Sequence, residues 1–378
     1  MQLKQLHIVS FDNPFPADYG GVVDVFYKLK ALSELGVKIH LHCFEYGRKP
    51  SNYLDQICST VNYYPRKTKL ANGLSRLPYI VQSRISESLI QNLLVNDYPI
   101  LVEGIHCCSV CLDSRLKNRF FIFRPSNIEH HYYRNLAKAE TSFAKKVFFH
   151  LEAIKLKCLE KKLPSPNQIW GISETDTQYF KTLFPKSRVE HIPGFHSANR
   201  INCPVGMGAY ALYHGHLGVA ENRKAVRFLL KNVFSKLDYP LIISGKNPSK
   251  EIVALCKELK HVQLIENPDE ASMFRLIQHA HIHVLPTFQN TGFKLKLIHA
   301  LFNGRHVLVN SKMLNGTPFQ SVCHLAEDAA AWVSQIEKLA NLDFTLQDIA
   351  QRKAILFPNY SNSANAEKIK TLIFNSKN

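Results

Sequence analysis

Two lysines at the start of a predicted helix are the side chains with the clearest chemical use in this sequence. Lys294 and Lys296 follow Gly292, in a loop after the apolar run 282–285. A helix N-terminus carries free N–H groups and partial positive charge, so it attracts anions and disfavours cations. Two ammonium groups are favourable there when a phosphate, preferably a diphosphate, lies between them and the backbone. The alternative is a solvated first turn without a ligand.

A second group of polar residues follows two other predicted strands. Glu103 and His106 come after one strand, and Asn127, Glu129 and His130 come after the next. Carboxylate and imidazole groups gathered at one sheet edge can position sugar hydroxyls or exchange protons. A single histidine is usually structural, but the clustering favours a functional interpretation.

A pair of glycines, Gly20 and Gly21, precedes a helical pattern over 22–35. The run 6–11 before them and the run 37–44 after the helix are predicted strands. Strand, loop, helix and strand form a right-handed crossover, which places the loop at the edge where open α/β sheets bind ligands. Two glycines let a ligand approach the backbone closely, although helix starts also carry glycine for turn geometry.

The same alternation continues through the chain and predicts an α/β protein of two Rossmann-like domains facing each other across a cleft. We expect an N-terminal domain over 1–195, a linker over 196–208 and a C-terminal domain over 209–358. The segment 359–378 is expected to form a helix that packs back across the domains. The other elements that we predict for the chain are strands at 100–103, 119–124, 169–172, 190–193, 210–214, 241–244, 262–265 and 307–309, and one long helix over 135–163.

Composition excludes several classes of protein. With 378 residues, 46% of them apolar and 20% charged, the chain is long enough for a large core. No apolar run is long enough to span a membrane, and the N-terminus lacks the pattern of a signal peptide, so a cytoplasmic location is expected. Nine cysteines without regular spacing indicate reduced thiols. The cluster of Cys107, Cys108 and Cys111 beside His106 lacks a second ligand pair, and no metal is expected.

The net charge of +17 suits an anionic partner. Within 66–84, Arg66, Lys67, Lys69, Arg76 and Arg84 alternate with apolar residues, which is typical of a surface that meets anionic lipids. A basic solvated face is the alternative. The predicted helix 135–163 has lysines beside an apolar face and could reinforce a membrane surface. Nucleic acid is not an expected partner, because no recognition module is evident. The apolar face consists of Phe143, Val147, Leu151, Ile154 and Cys158.

Five motifs in this order resemble GT-B glycosyltransferases, in particular the large retaining family four and its bacterial branch that builds surface polysaccharides and glycolipids. The resemblance covers nearly the whole chain. The motifs are PFPADYGG at 14–21, NIEHHYY at 127–133, WGISETD at 170–176, YHGHLGVAENRKAV at 213–226 and TGFKLKLIHALFNG at 291–304.

The resemblance implies that the C-terminal domain binds a UDP- or GDP-linked sugar and the N-terminal domain a glycan or lipid-linked acceptor, at the inner face of a membrane. No metal or cofactor is implied. The diphosphate would lie on the amides of Gly292 and Phe293, beside Lys294 and Lys296, and His130 would lie beside the sugar. Further residues implied for the donor are Gly20, Gly21, Lys246, Thr291 and His299, and for the acceptor or sugar pocket Glu103, His106, Asn127 and Glu129.

The sequence departs from the family at four positions. Thr291 and His299 stand where many members have two glutamates, and His216 and Asn222 stand where they have an arginine and a lysine. These changes place the binding of phosphate on the remaining lysines. The expected activity is retaining sugar transfer by front-face departure of the nucleotide diphosphate. A sugar-nucleotide 2-epimerase and a non-catalytic GT-B subunit are the alternatives.

Overall fold

The computed structural model describes residues 4–68, 75–140, 142–288 and 294–375. The chain forms two compact units. One contains the described residues up to 197 together with 359–375, and the other contains 198–288 and 294–358. Each unit is built on one parallel sheet with helices packed against it.

The first unit has a seven-stranded sheet in the order β3-β2-β1-β4-β5-β6-β7. All of its neighbouring strands pair in parallel. The order of its first six strands is that of a Rossmann sheet, and it reverses between β1 and β4. The strands are β1 Gln5–Ser10, β2 Lys38–Glu45, β3 Thr60–Pro65, β4 Ile100–Glu103, β5 Phe121–Arg124, β6 Gln168–Gly171 and β7 Arg188–His191.

Within the described residues, seven α-helices accompany this sheet. The last of them comes from the C-terminus, where Ala366, Ile369 and Leu372 are buried in the core of the first unit. Gln168 Nε2 also donates a hydrogen bond to the Leu372 carbonyl at 2.8 Å. The helices are α1 Gly20–Glu34, α2 Tyr79–Gln82, α3 Glu87–Leu94, α4 Glu129–Ala139, α5 Phe143–Lys162, α6 Glu174–Leu183 and α14 Asn362–Phe374.

The second unit repeats the design with six parallel strands in the order β10-β9-β8-β11-β12-β13. This order reverses between β8 and β11. The strands are β8 Tyr210–His214, β9 Leu241–Gly245, β10 Val262–Glu266, β11 Ala280–Leu285, β12 His306–Val309 and β13 His324–Leu325. The helices are α7 Ala220–Phe228, α8 Lys250–Lys257, α9 Glu270–His279, α10 Leu295–Asn303, α11 Ser311–Leu314, α12 Ala329–Leu339 and α13 Leu346–Tyr360.

The prediction of one helix over 135–163 is wrong. The structure has a helical hairpin instead, in which α4 ends at Ala139 and α5 begins at Phe143. Glu140 and Ser142 each have extended backbone, and the Glu140 carboxylate accepts a hydrogen bond from the Ser142 amide at 3.0 Å. Serine favours helix starts over helix interiors. Apolar spacing did not reveal the break, because both helices carry residues that pack across the hairpin.

The prediction that segment 66–84 faces lipid is also wrong for part of that segment. Ile80 and Val81 belong to the core, and Arg84 is 4% exposed. The Arg84 guanidinium donates hydrogen bonds to the carbonyls of Phe11 and Ile80 at 2.8 and 2.7 Å. These three side chains therefore cannot meet lipid, and the predicted residues Lys69, Leu70 and Leu74 lie outside the described residues. Within the described ranges, no helix combines the length and apolar character needed to cross a bilayer.

Histidines form a buried hydrogen-bond chain on the central strands of the first sheet. His7 Nδ1 lies 2.9 Å from His42 Nε2, and His42 Nδ1 lies 2.8 Å from the Tyr64 hydroxyl. His7 Nε2 lies 2.8 Å from Asn96 Oδ1. Burial lowers the pKa of His7 to about 4 and that of His42 to about 3, so the folded protein holds both rings neutral.

This chain predicts a loss of stability in acid. The unfolded state binds protons on these rings near pH 6.5, and the folded state does so only at lower pH. The free energy of unfolding is therefore highest above pH 6.5 and falls as the pH drops, by about 3 kcal/mol for each ring at pH 4. Urea unfolding at a series of pH values measures this slope. His42→Gln should flatten it, and an unchanged slope in that variant would assign the acid sensitivity to other groups.

Candidate functional site

The loops that follow β8 and β9 lie against each other in the second unit. The Leu217 amide donates a hydrogen bond to the Lys246 carbonyl at 2.8 Å. A side chain on Gly245 would collide with the Gly215 carbonyl. Only glycine permits this close approach, which holds the loop before α7 at the strand-end edge of the sheet. Ligands of open α/β sheets bind where the strand order reverses, which here is the edge between β8 and β11.

Lys296 extends from the first turn of α10 to this loop. Its Nζ donates hydrogen bonds to Asn222 Oδ1 at 2.6 Å and to the Tyr213 hydroxyl at 3.1 Å. The Tyr213 hydroxyl in turn donates to Asn222 Oδ1 at 3.0 Å. A Cβ atom added to Gly215 would lie 3.5 Å from Lys296 Nζ. The ammonium group is therefore fixed between the end of β8 and the first turn of α7.

The environment of this amine changes its protonation. Burial lowers the pKa of Lys296 to about 8, the nearby Glu221 opposes that change, and Lys294 adds to it. Glu221 accepts a hydrogen bond from the Thr287 hydroxyl. Asn310 holds Thr287 in place, because its side chain exchanges two hydrogen bonds with the Thr287 backbone, at 3.1 and 2.7 Å. The amine is mostly charged at pH 7 and loses its proton within a short pH range above it.

This arrangement suits an anion. The N-cap residues Val219 of α7 and Lys294 of α10 make no capping hydrogen bond with their own side chains. Serine or aspartate side chains cap other helices of the chain, such as α8 and α9. Two helix N-termini with a cation between them can bind a phosphate or diphosphate. Glu221 lies in the first turn of α7 and offsets part of this positive potential.

The other described residues that were predicted to bind the donor in this unit are Lys246 and His299. Lys246 lies in the loop after β9 with its side chain exposed, and His299 lies one turn into α10. Thr291, Gly292 and Phe293 lie outside the described residues. Lys296 forms a hydrogen bond with Asn222. Asn222 stands at the position where the family resemblance leads one to expect a lysine. Tyr213, Asn222 and Glu221 as partners of Lys296 were not predicted, because they come from elements distant in sequence.

Glu103 is part of a buried charge network in the first unit. Its carboxylate accepts a hydrogen bond from Lys28 Nζ at 2.6 Å, and Lys28 also bonds to Asp24 at 3.1 Å. Arg124 forms a bidentate pair with Asp24 at 2.9 and 3.0 Å. Two carboxylates and two cations thus neutralise one another and join α1 to β4 and β5. Glu103 is 2% exposed, and its role in an acceptor pocket stays a prediction.

His106 and the glycine pair lie near each other at the strand-end edge of the first sheet. The His106 ring is 5.2 Å from the Phe11 ring, centroid to centroid. A Cβ atom on Gly21 would lie 2.8 Å from the Phe11 ring, whereas Gly20 has open space around it. Gly21 is thus needed for packing. Burial, with Arg84 and Arg66 nearby, holds the pKa of His106 well below its usual value, so its ring is neutral.

His130 has a carboxylate partner that sequence reasoning missed. Its Nδ1 lies 2.8 Å from Glu160 Oε2, and the same oxygen accepts a hydrogen bond from the Tyr179 hydroxyl at 2.9 Å. Because a carboxylate only accepts, Nδ1 carries the hydrogen, which leaves Nε2 as the ring nitrogen available to another partner. Glu160 is one of only two acidic residues in the lysine-rich α5. This rarity is the sequence feature that could have indicated a specific role for Glu160.

The buried Glu129 and the partly buried Asn127 form a second pair beside this network. Asn127 Nδ2 donates to Glu129 Oε1 at 3.4 Å. Burial raises the pKa of Glu129 to about 7, with Asn127 opposing and the negative charges of Glu160 and Asp176 adding to the increase. A carboxyl group with this pKa can accept or donate a proton at neutral pH, as a general acid or base requires.

Two of the cysteines beside His106, Cys107 and Cys108, are buried, and burial raises the pKa of both thiols. Cys107 and Cys108 are 0% and 1% exposed, and burial raises the pKa of Cys107 to about 12. Thiolates, not thiols, bind metals. Among the described residues, no group of three or more histidine, cysteine or acidic side chains is arranged for a metal.

Known proteins share the architecture of this chain. No protein-family model matches the chain. A Klebsiella pneumoniae relative, described as an uncharacterized 44.6 kDa protein in the cps region, is 26% identical over 83% of this chain and 85% of its own length. The crystal structure of TarM superposes with a TM-score of 0.68 at 12% identity, covering 99% of both chains.

Two further structures give the same result. A glycosyltransferase from Rickettsia africae has a TM-score of 0.63 at 13% identity and is covered over its full length, as is this chain. Anabaena HepE, solved with UDP and glucose, has a TM-score of 0.56 at 11% identity, covering 99% of this chain and 96% of HepE. The chain has the GT-B fold. The predicted fold class of two parallel α/β domains is confirmed, as is the resemblance to GT-B glycosyltransferases.

The partners of Glu160 lead to a prediction about stability. Glu160→Gln leaves one carbonyl oxygen in place of the carboxylate that serves both His130 and Tyr179. We expect the free energy of unfolding to fall by about 1–3 kcal/mol, and by about 0.5–1.5 kcal/mol for Tyr179→Phe. Urea unfolding at pH 7 measures both, with the exposed Glu34→Gln as a control. Equal stability of Glu160→Gln and the control would contradict the network.

For Lys296 we predict that a substitution raises the free energy of unfolding, in contrast to Glu160. Its pKa is about 8 in the folded protein against 10.5 ordinarily, so the charged amine costs free energy at pH 7. Replacing it with the apolar Met should raise the free energy of unfolding at pH 7 by about 1–3 kcal/mol. The gain should shrink as the pH rises from 8 to 10.5, where both states lose the proton. A Lys296→Met protein that is less stable at pH 7 would show that the amine is structural.

Proposed function

We propose that this protein is a retaining, metal-independent glycosyltransferase that transfers a sugar from a nucleotide-diphosphate sugar to a glycan or lipid-linked acceptor. The observation that carries the proposal is the ammonium group of Lys296. It lies at the strand-order reversal of the second unit, between two helix N-termini. A cation there, partly buried and with a lowered pKa, has an evident use when a diphosphate binds.

The donor is a UDP- or GDP-linked hexose. HepE was solved with UDP and glucose, and another structural neighbour from Arabidopsis thaliana was solved with UDP-L-rhamnose. Both are similar to this chain in fold alone, so their ligands supply candidates for testing. UDP is the first probe, because two independent neighbours of the same fold carry it.

The reaction follows from the charges that this chain can offer the leaving group. As the bond between the anomeric carbon and the diphosphate breaks, negative charge grows on the diphosphate, and Lys294, Lys296 and the helix N-termini offset it. The acceptor hydroxyl attacks from the face that the diphosphate leaves, which retains the configuration. Its proton passes to the departing diphosphate oxygen, so no protein nucleophile is required.

The first unit supplies the acceptor and sugar contacts in this proposal. His130 has Nε2 available for a sugar hydroxyl because Glu160 holds Nδ1. Glu129, with its pKa of about 7, and His106 are further candidates for binding hydroxyl groups. The Klebsiella relative is described as lying in a cps region, which supports a surface-glycan acceptor.

The decisive experiment is titration calorimetry with UDP and with a panel of UDP- and GDP-sugars. Lys296→Met should weaken UDP binding about tenfold to a hundredfold, because one charge-assisted hydrogen bond to phosphate is lost. Wild-type affinity should also fall as the pH rises through 8, where the amine loses its proton. The Lys296→Met variant should lack this pH dependence.

Lys250→Met is a matched control, because Lys250 is an exposed lysine at the start of α8 in the same unit. It should bind UDP as the wild type does. Absence of binding to every nucleotide sugar would overturn the proposal in favour of a non-catalytic subunit. Conversion of the sugar nucleotide without an acceptor would indicate an epimerase. NMR of the transferred sugar distinguishes retention from inversion.

A further inference from the structure

Helix α5 turns its apolar stripe towards solvent. Phe143 is 80% exposed, Val147 42%, Leu151 54% and Ile154 50%. Their spacing of three or four residues places them along one side of the helix. A soluble helix normally buries such a stripe against the core, so this exposed surface requires an explanation.

The buried side of α5 combines the apolar residues Ala153, Leu156 and Leu159 with charged residues that would ordinarily face water. Both acids of the helix lie there. Glu152 accepts hydrogen bonds from the Tyr79 amide at 2.6 Å and from Lys155 at 3.0 Å. Glu160 is held by His130 and Tyr179. Within Phe143–Lys162, all of which is described, no acidic side chain therefore remains on the outer side.

Lysines flank the exposed stripe on both sides. With 100° of rotation per residue, Lys146 and Lys157 lie on one side of it and Lys162 on the other, with Lys161 at its C-terminal end. All four are exposed. The outer surface of α5 is thus an apolar strip with a positive border, which we call the α5 face: Phe143, Lys146, Val147, Leu151, Ile154, Lys157, Lys161 and Lys162.

Part of the basic segment 66–84 extends this surface. The Tyr79 ring lies 6.4 Å from the Phe148 ring, centroid to centroid, which brings α2 against α5. Arg76, three residues before Tyr79, is exposed. An exposed cation therefore lies three residues from the tyrosine that packs against α5.

We propose that the α5 face docks the protein on a bilayer that contains anionic lipid. Interfacial helices combine an apolar side with flanking lysines, so that the apolar side chains enter the boundary of the acyl chains and the ammonium groups meet lipid phosphates. The 20 residues of α5 make a helix about 30 Å long, which would lie along the surface.

Charge decides between a bilayer and a second copy of this chain. Two copies joined through this surface would bring lysines against lysines without acids to pair them, and like charges disfavour that contact. An anionic lipid surface supplies the missing negative charge. The inference concerns α5 and its surroundings, and it goes beyond the sugar chemistry proposed above.

Co-sedimentation of the full-length protein with vesicles tests the proposal. The wild type should bind phosphatidylcholine vesicles that contain phosphatidylglycerol, bind pure phosphatidylcholine much less, and be released by high salt. Lys146→Glu, Lys157→Glu, Lys161→Glu and Lys162→Glu combined should lower the partition coefficient by at least about a hundredfold, because each lysine near the surface contributes about fivefold. Phe143, Val147, Leu151 and Ile154 changed together to Ser should lower it by at least about tenfold.

Matched controls change the same kinds of residue elsewhere. Val95→Ser with Leu346→Ser removes two side chains that are 77% and 75% exposed. The second control is a fourfold change of exposed lysines in the other unit, Lys236→Glu, Lys250→Glu, Lys257→Glu and Lys260→Glu. Both controls should bind vesicles more strongly than the corresponding α5 variants, and circular dichroism should show all variants folded.

The outcomes are distinct. No binding of the wild type to anionic vesicles, or equal binding of the α5 variants and their controls, overturns the proposal. A dimer that the serine variant abolishes, without vesicle binding, assigns the face to a second copy and also overturns it. UDP binding should be unchanged in the α5 variants, so a failure here is separable from a failure of the glycosyltransferase proposal.

Discussion

The parallel direction of the strands is the constraint from which the candidate sites follow. Right-handed crossovers between parallel strands bring the carboxyl ends of all strands of a sheet to the same edge. The strand order reverses between β1 and β4 in the first sheet and between β8 and β11 in the second. Loops on either side of a reversal diverge, so backbone N–H groups and side chains are left open to a ligand. Lys296 lies at such an edge in the second unit, and Phe11 with His106 lies at the corresponding edge in the first.

Buried charge is treated in two ways in this protein. Asp24, Lys28, Glu103 and Arg124 are fully paired, so their burial joins elements of the first unit without leaving excess charge. Lys296 is hydrogen-bonded by two neutral groups instead, and burial lowers its pKa. An incompletely compensated cation lowers stability unless an anion binds, which separates this lysine from the structural network.

Much of the fold followed from local pattern, and the site followed less well. The predicted strands 100–103 and 210–214 coincide with β4 and β8, because buried parallel strands are short apolar runs with turn residues at their ends. β3 and β13 were not predicted. The first mixes polar with apolar residues and the second has two residues, so neither gives a clear signal. Lys296 was predicted as a phosphate ligand, but its contacts with Tyr213 and Asn222 join segments far apart in sequence.

By itself, the sequence determined the alternation of strands and helices, the α/β class and the concentration of basic residues, since these depend on composition and on periods of two to four residues. Tertiary structure decided which face of each helix is buried. In α5 the charged residues Glu152 and Glu160 face inwards, because Tyr79, His130 and Tyr179 supply hydrogen bonds to them there. The apolar residues Leu156 and Leu159 are buried beside these two acids, and the second apolar stripe of the helix is exposed. Periodicity detects two faces of a helix, but only the partners that packing brings to each face determine which one meets water.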